Sequence, residues 1–462
     1  MSAPTSHRSA EEIGRTEQGP RPLPELGEQR AAADLSSVDT VLPNGLRVIA
    51  VRRSSVPLVE LRLRVPFADP ADTSVGSAHA ARSEVLASTV LTGTAARDRV
   101  AIDTELALVG GELDAVVDPE RLAFSGNALV SGLDTLLDVL RDVLTGAVYP
   151  ADEVERERAR LVERIRLARS QPNVIAREAL QDHLYGDHPY AKEMPEADEV
   201  AAVGRDDVAD LHARAVLPRG SVLVLVGDLE PDAAVAAVGA ALETWVGAGE
   251  AVALRPLPAV RGGDLLLVNR PGAVQSQIRL AGRGLERTDP RYPALQVANL
   301  IFGGFFSSRL VENIREDKGY TYSARSHPEF TPGGAALLVD ADTASEVTAA
   351  ALLETRYELG RLSLVAPTEA EVDTARRYAI GSLLTATSSQ GGLASFLVNL
   401  AGLGLGIDWF AGHPERLAGV TVEQVSEVAL EFFAPSAFTG VVVGDAEVLS
   451  ARLGALGGVA LP

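Results

Sequence analysis

The sequence predicts an α+β fold of two homologous α/β-sandwich domains, produced by internal duplication and preceded by a disordered N-terminal arm. Three observations predict it. Residues 203–228 lie over residues 420–445 without a gap, at a constant offset of 217, so that Val203, Val208, Pro218, Val224 and Gly227-Asp228 meet Val420, Val425, Pro435, Val441 and Gly444-Asp445. Each copy reads as an amphipathic helix, a proline break and an apolar β-run. Strands and helices also mix without the strict βαβ alternation of a parallel sheet. The length of 462 residues, 46% hydrophobic and 23% charged, suits two to three folded domains of roughly 100 to 200 residues each.

In chain order, residues 1–37 are rich in Glu, Arg, Pro and Gly, lack a sustained hydrophobic period, and are predicted as the flexible arm. The first domain, 38–245, opens on a hairpin whose turn is Pro43-Asn44-Gly45 between two alternating β-branched runs. A helix over LDTLLDVLRDVL follows, and Pro150 then opens the helical PADEVERERARLVERI. The Val203 repeat closes the domain. Residues 246–263, rich in Gly, Ala and Pro, are the expected linker. In the second domain, 264–462, VTAAALLETRYEL answers the earlier helix and Pro367 answers Pro150, with one residue of slippage before the Val420 repeat.

Charge and composition remove several function classes. With 63 acidic against 42 basic residues the net charge of −21 repels nucleic acid and anionic membranes, so no nucleic-acid partner is expected. No apolar run reaches the roughly 18 to 20 residues of a membrane span, and the first twenty residues lack a secretory h-region, so no membrane partner is expected. The absence of cysteine excludes disulfides and thiolate ligands and fits a reducing compartment; the predicted location is cytoplasmic.

The seven histidines, His7, His79, His183, His188, His212, His327 and His413, form no HExxH or HxxEH pairing. His183 and His188 stand five apart across a glycine, a spacing that does not stack on one helix face, and they read as structural or surface residues. There is no GxSxG, Walker or GxGxxG signature, and the Gly-Gly pairs at 110, 303 and 333 read as turn punctuation. The run Ile301-FGGFFSSRLVENIREDKGYTYSARS differs: after an apolar helix and a Gly-Gly aromatic loop it presents Ser307, Ser308, Arg309, Arg315, Tyr320 and Tyr322. Arg315 offers a fixed cationic fork and Tyr322 a phenol able to donate to a carbonyl or a developing oxyanion. An amphipathic helix followed by an edge strand, with Arg and Tyr at its rim, accounts for the same residues equally well.

Taken together, LPNGLRV, LTGT at 91–94, LVGGELDA at 108–115, the PADEV helix, HPY at 188–190, both VGD strand ends and SSRLVENIREDKGYTYS resemble the pitrilysin/insulinase-type metallopeptidases, in particular their two-chain, mitochondrial-processing-peptidase-like bacterial branch. The resemblance covers nearly everything after the arm. It implies a zinc site at an inverted HxxEH motif ten residues before Thr94, where this chain has Glu84, Ala87 and Ser88, and a third ligand at Arg164 of the Glu157-Arg158 helix. Imidazoles, base and carboxylate ligand are all missing, so the resemblance implies no metal and no cofactor in this chain. It also implies a substrate-holding Arg and Tyr seven residues apart, which here are Arg315 and Tyr322. The expectation is a zinc-less subunit that pairs with a homologous HxxEH-bearing subunit carrying the zinc and handles a peptide substrate in a closed chamber. A purely structural or leader-peptide-recognition subunit is the alternative.

Overall fold

The computed structural model describes residues 35–68, 78–247, 249, 254–331 and 334–462. Residues 1–34 of the predicted arm, with His7, lie outside the described residues, as do parts of the predicted linker (248 and 250–253) and Gly333 of the third Gly-Gly pair.

The first half builds a mixed sheet from β1 (Ser37–Val41), β2 (Arg47–Arg52), β3 (Leu58–Pro66), β4 (Glu112–Val117), β5 (Arg121–Leu129) and β6 (Val222–Gly227), in the spatial order β1-β2-β6-β3-β5-β4. β1 and β2 form the expected hairpin, with Val41 opposite Arg47. Its turn is pinned by Asn44, whose side chain accepts from Leu46 N and donates to the Leu242 and Trp245 carbonyls.

The second half repeats the plan with β7 (Leu265–Asn269), β8 (Gln275–Arg283), β9 (Thr321–Thr331), β10 (Gly334–Ala344), β11 (Phe438–Gly444) and β12 (Val459–Ala460), in the order β12-β7-β11-β8-β10-β9. β6 runs parallel to β2 and antiparallel to β3; β11 does the same with β7 and β8. The halves differ at one edge. β1 enters the first sheet antiparallel from the N-terminal side, whereas β12 fills the matching position parallel to β7 from the far end of the chain.

On the helical side lie α1 (Ala78–Thr89), α2 (Leu133–Gly146), α3 (Ala151–Ala168), α4 (Pro172–Tyr185) and α5 (Arg205–Ala215), then α6 (Tyr292–Asn299), α7 (Thr348–Leu364), α8 (Glu369–Ala386), α9 (Gln390–Gly402) and α10 (Val422–Phe432). α5 and α10 are displaced by 217 at both ends, while α3 and α8 are displaced by 218, the single-residue slip read from the prolines. The repeat extends to capping. Gly204 N donates to Asp207 as Thr421 N donates to Gln424, which satisfies one orphan amide at the start of each equivalent helix.

Both central strands, VLVLVG in β6 and FTGVVVG in β11, are buried at every residue, because each sheet is covered on both faces. One face of each sheet packs on its own half's helices. The other face is covered by a helix from the opposite half. α9 lays Leu393, Ala394 and Leu397 onto Ile49, Val51, Val224 and Val226 of the first sheet. α4 lays Ala176 and Leu180 onto Ala281, Leu338, Val441 and Val443 of the second. The two halves therefore exchange equivalent helices.

The helical run Tyr292–Asp317 corrects the expectation that no segment reaches the length and apolarity of a membrane span; it does, but 72% of its most apolar window is buried inside the protein, where it serves as a core helix. Within it, Gly303-Gly304 belongs to a π-helical turn, Leu300–Gly304, rather than to a loop. The described part of the predicted linker forms no helix or strand, yet it is docked: Leu254 and Leu257 pack on Tyr185 and Tyr190, and the Arg255 carbonyl accepts from His188 Nε2 at 2.9 Å.

Candidate functional site

α1 brings Glu84, Ala87 and Ser88 to one face because positions three and four apart on a helix are neighbours. Arg164 reaches the same place from α3. All four line a single cavity of about 590 Å³, walled on one side by Ala115, Val116 and Val117 of the edge strand β4. Counting spacings along the sequence thus gathered residues that the fold does place together.

Their chemistry is not that of a metal centre. Arg164 Nη2 stands 4.0 Å from Glu84 Oε2. Burial pushes the Glu84 carboxyl above its ordinary value, and the Arg164 guanidinium opposes that rise. Ser88 Oγ donates back to the Glu84 carbonyl at 2.7 Å, so its hydroxyl is spent within its own helix. Glu157 is occupied by Arg99 and Arg160, at 2.9 and 3.1 Å. Glu163, the other acidic residue near Arg164, pairs with Arg166 and is not among the residues that line the cavity. Among the described residues no group of three His, Asp or Glu side chains could hold a metal ion. A fixed cation where the third ligand would stand repels zinc, and the residues do not fit it.

Arg315 and Tyr322 lie together at a different place. Arg315 sits in the last, π-helical turn Glu312–Asp317; Gly319, at φ +62, then reverses the chain into β9, the edge strand of the second sheet, which carries Tyr322. The Arg315 guanidinium carbon is 5.8 Å from the centre of the Tyr322 ring and 4.8 Å from that of Phe306. Its one carboxylate contact among the described residues is the neighbouring Glu316, at 3.3 Å. Tyr322 is 93% exposed. Little in the sequence pointed to Phe306, 60% exposed in the turn before this helix with its ring beneath the Arg315 guanidinium; the aromatic run Phe302–Phe306 was the only signal for it. The other residues of the segment are structural. Arg309 is buried and forks onto Glu371 at 2.7 and 3.0 Å, holding that carboxyl down at about 2 against the rise that burial alone would cause. Tyr320 packs on the core of its half.

The fold does not bring the two sets of residues together, since neither Arg315 nor Tyr322 lines the cavity at Glu84. From the Glu84 cavity a cleft of about 500 Å³, which shares Glu84 and Val117 with it, runs to Phe330 and Thr331 of β9. Eight residues of extended strand separate Tyr322 from Phe330, roughly 27 Å.

Four of the described histidines are held by structural contacts. His183 Nε2 bonds Thr439 Oγ1 at 2.8 Å across the two halves, His188 is buried between Arg255 and Tyr190, and His212 is held by Tyr149 and the Leu144 carbonyl. His79 is buried beside Ser83 and Phe67.

Residues 76–197 match the family described as insulinase (peptidase family M16), and residues 202–378 match the one described as peptidase M16 inactive domain. An uncharacterized zinc protease of Mycobacterium tuberculosis is 29% identical over 424 residues, 88% of this chain and 93% of that protein. Among solved structures, a peptidase M16 inactive domain from Pseudomonas fluorescens superposes with a TM-score of 0.78 at 22% identity, covering 89% of this chain and 98% of that one. A protease from Helicobacter pylori gives 0.79 at 17% identity over 88% and 99%.

Proposed function

Because this chain belongs to the insulinase-type peptidase family M16, we propose that it works as the zinc-less subunit of a two-chain peptidase, holding an extended peptide for a homologous partner that bears an intact HxxEH motif. The observation that carries this reading is the unequal fate of two sites. The four positions of the family's metal centre still converge on one cavity, but an arginine and a glutamate face each other there. Arg315 and Tyr322 stay side by side on the rim of an edge strand, outside that cavity, with the phenol open to solvent.

In this reading zinc, bound by the partner, supplies the activated water. Residues of this chain bind and orient the peptide: Arg315 offers its fork to a backbone carbonyl, and Tyr322 donates to the carbonyl oxygen on which negative charge develops. The Phe306 ring, 4.8 Å from the guanidinium carbon, steadies the Arg315 fork by a cation–π contact. We place the assembly in the cytoplasm, in keeping with a cysteine-free chain.

The test is to copurify the two subunits and assay cleavage of an unstructured peptide. Each donor is worth on the order of 3 kcal/mol in comparable sites, so Arg315→Ala with Tyr322→Phe is expected to lower kcat/KM by roughly a hundredfold or more with the complex intact. Wild-type rates from that double variant would remove the role given to the pair and leave a structural or peptide-recognition subunit.

A further inference from the structure

Beyond Phe330 the cleft opens into a separate cavity of about 330 Å³ at the junction of the halves. Arg64 from β3, Arg121 from the start of β5 and Arg287 from the segment after β8 all line it. The carboxylates in its wall are Asp118 and Glu120. Three guanidinium groups against two carboxylates leave one positive charge.

The donors there are poorly used. The Arg64 side chain is only 11% exposed, yet its single ion pair, to Glu120, is 3.6 Å long, and it makes no hydrogen bond among the described residues. Burial pushes the Glu120 carboxyl up to about 7, which weakens even that partner near neutrality. Arg287 has no carboxylate within ion-pair distance among the described residues; Nη1 donates to the Tyr292 hydroxyl at 3.3 Å, and the guanidinium is caged by the rings of Phe330 at 4.2 Å and of Tyr292 and Trp409 at 5.5 Å. Arg121 is spent on Asp118 and on Asn399 of α9. Leaving the largely buried Arg64 guanidinium without a hydrogen-bond acceptor is costly, and it lines the cavity together with the Arg287 fork, which has no anionic partner among the described residues. Gly402 completes the cradle, because a Cβ there would come within 2.5 Å of Arg64 Nε.

We infer that this cavity is a subsite for one carboxylate of a bound peptide, gripped by Arg64 and Arg287. A carboxylate adds one negative charge beside Asp118, whereas a dianionic phosphate would add two beside Asp118 and Glu120. The cavity shares Asp118, Tyr190 and Phe330 with the cleft, so a chain lying along β4 or β9 reaches it without leaving the surface. The inference deepens the peptide-holding role and rests on it. The carboxylate comes from the peptide's C-terminus or from an acidic side chain.

The experiment uses the chain alone, without partner or metal. Isothermal calorimetry compares N-acetyl-tetraalanine with a free carboxylate, its C-terminal amide, and the amide of the same peptide with one interior aspartate. One site per chain is expected. The plain amide binds roughly tenfold weaker or less than whichever carboxylate-bearing peptide is the true source. Arg287→Gln, and independently Gly402→Ala, bring that peptide down to the level of the amide. Equal binding of acid and amide peptides, no binding of any of them, unchanged affinity in both variants, or equally strong competition by inorganic phosphate would overturn the assignment. No hydrolysis is read, so failure here leaves the test of Arg315 and Tyr322 standing, and failure there leaves this one.

Discussion

At the scale of single residues, burial decides which ionisable groups keep their ordinary behaviour, and His413 is the sharpest case. Its ring stacks on Trp409 at 4.3 Å and on Tyr292 at 5.7 Å, and Nε2 donates to Gln296 Oε1 at 2.9 Å. Nδ1 is buried with no hydrogen-bond partner, so a proton added there would find no acceptor, and Arg287 and Arg416 face the ring. Burial first, then those two cations, push its pKa down to about 3. The unfolded chain takes up this proton near pH 6.5, so the stability tied to the neutral ring is complete above that pH and is lost as pH falls toward 3. Between pH 7 and pH 5 the loss from this residue is about 2 kcal/mol. Urea unfolding at the two pH values is expected to show His413→Gln losing less stability than wild type over that interval; an equal loss would assign the acid sensitivity elsewhere. None of this was visible in the sequence, where His413 was one of seven poorly spaced histidines. Its partners stand at 292, 296 and 409, and only the fold brings the first two near.

At the scale of elements, the question is whether the helices of the lost metal centre keep their positions after its ligands have changed. α1 and α3 still pack side by side, with Val85 and Leu86 of one and Leu161 and Ile165 of the other in a common core. Helix placement there is set by apolar residues; Glu84, Ser88 and Arg164 line the cavity outside that core, and Ala87 alone of the four positions belongs to its margin. Restoring the ligands by Glu84→His, Ala87→Glu, Ser88→His and Arg164→Glu together is therefore expected to yield a chain that binds about one zinc, against none for wild type, in elemental analysis after dialysis. A quadruple variant that folds and stays free of zinc would show that the helices have drifted apart. This is also where the sequence was most legible. Motif spacing on α1 and α3 is local, and a 217-residue repeat reports the helix, proline break and strand shared by both halves. The guanidinium cluster at 64, 121 and 287 was not legible, because its members come from three separate elements and no local pattern links them. Phe306 was hidden for a related reason: its value lies in stacking on Arg315, nine residues on.

At the scale of the whole molecule, the exchange of α4 and α9 governs stability, and nothing local in either helix says which sheet it will cover. α9 follows α8 in the second half yet buries its apolar face on the first sheet. Ile49, Val51, Val224, Val226, Leu393 and Leu397 are all below about a tenth exposed there. At roughly 1.5 to 3 kcal/mol for each aliphatic side chain, six of them contribute on the order of 10 kcal/mol, an upper figure because the unfolded chain is itself partly collapsed. That equals the entire net stability of a typical domain, about 5 to 15 kcal/mol. Neither half can give it up and remain folded. Fragments 35–247 and 254–462, expressed separately, are accordingly expected to aggregate or to bind a hydrophobic dye, and to copurify as an equimolar pair when expressed together. A monodisperse, cooperatively unfolding fragment 35–247 on its own would show that α9 is a removable cover. The interlock bears on function too, because the cleft and the guanidinium cavity take walls from both halves. If the halves stand or fall as one body, a peptide lying across them meets a rigid surface, and the ordering it undergoes on binding is its own rather than the protein's.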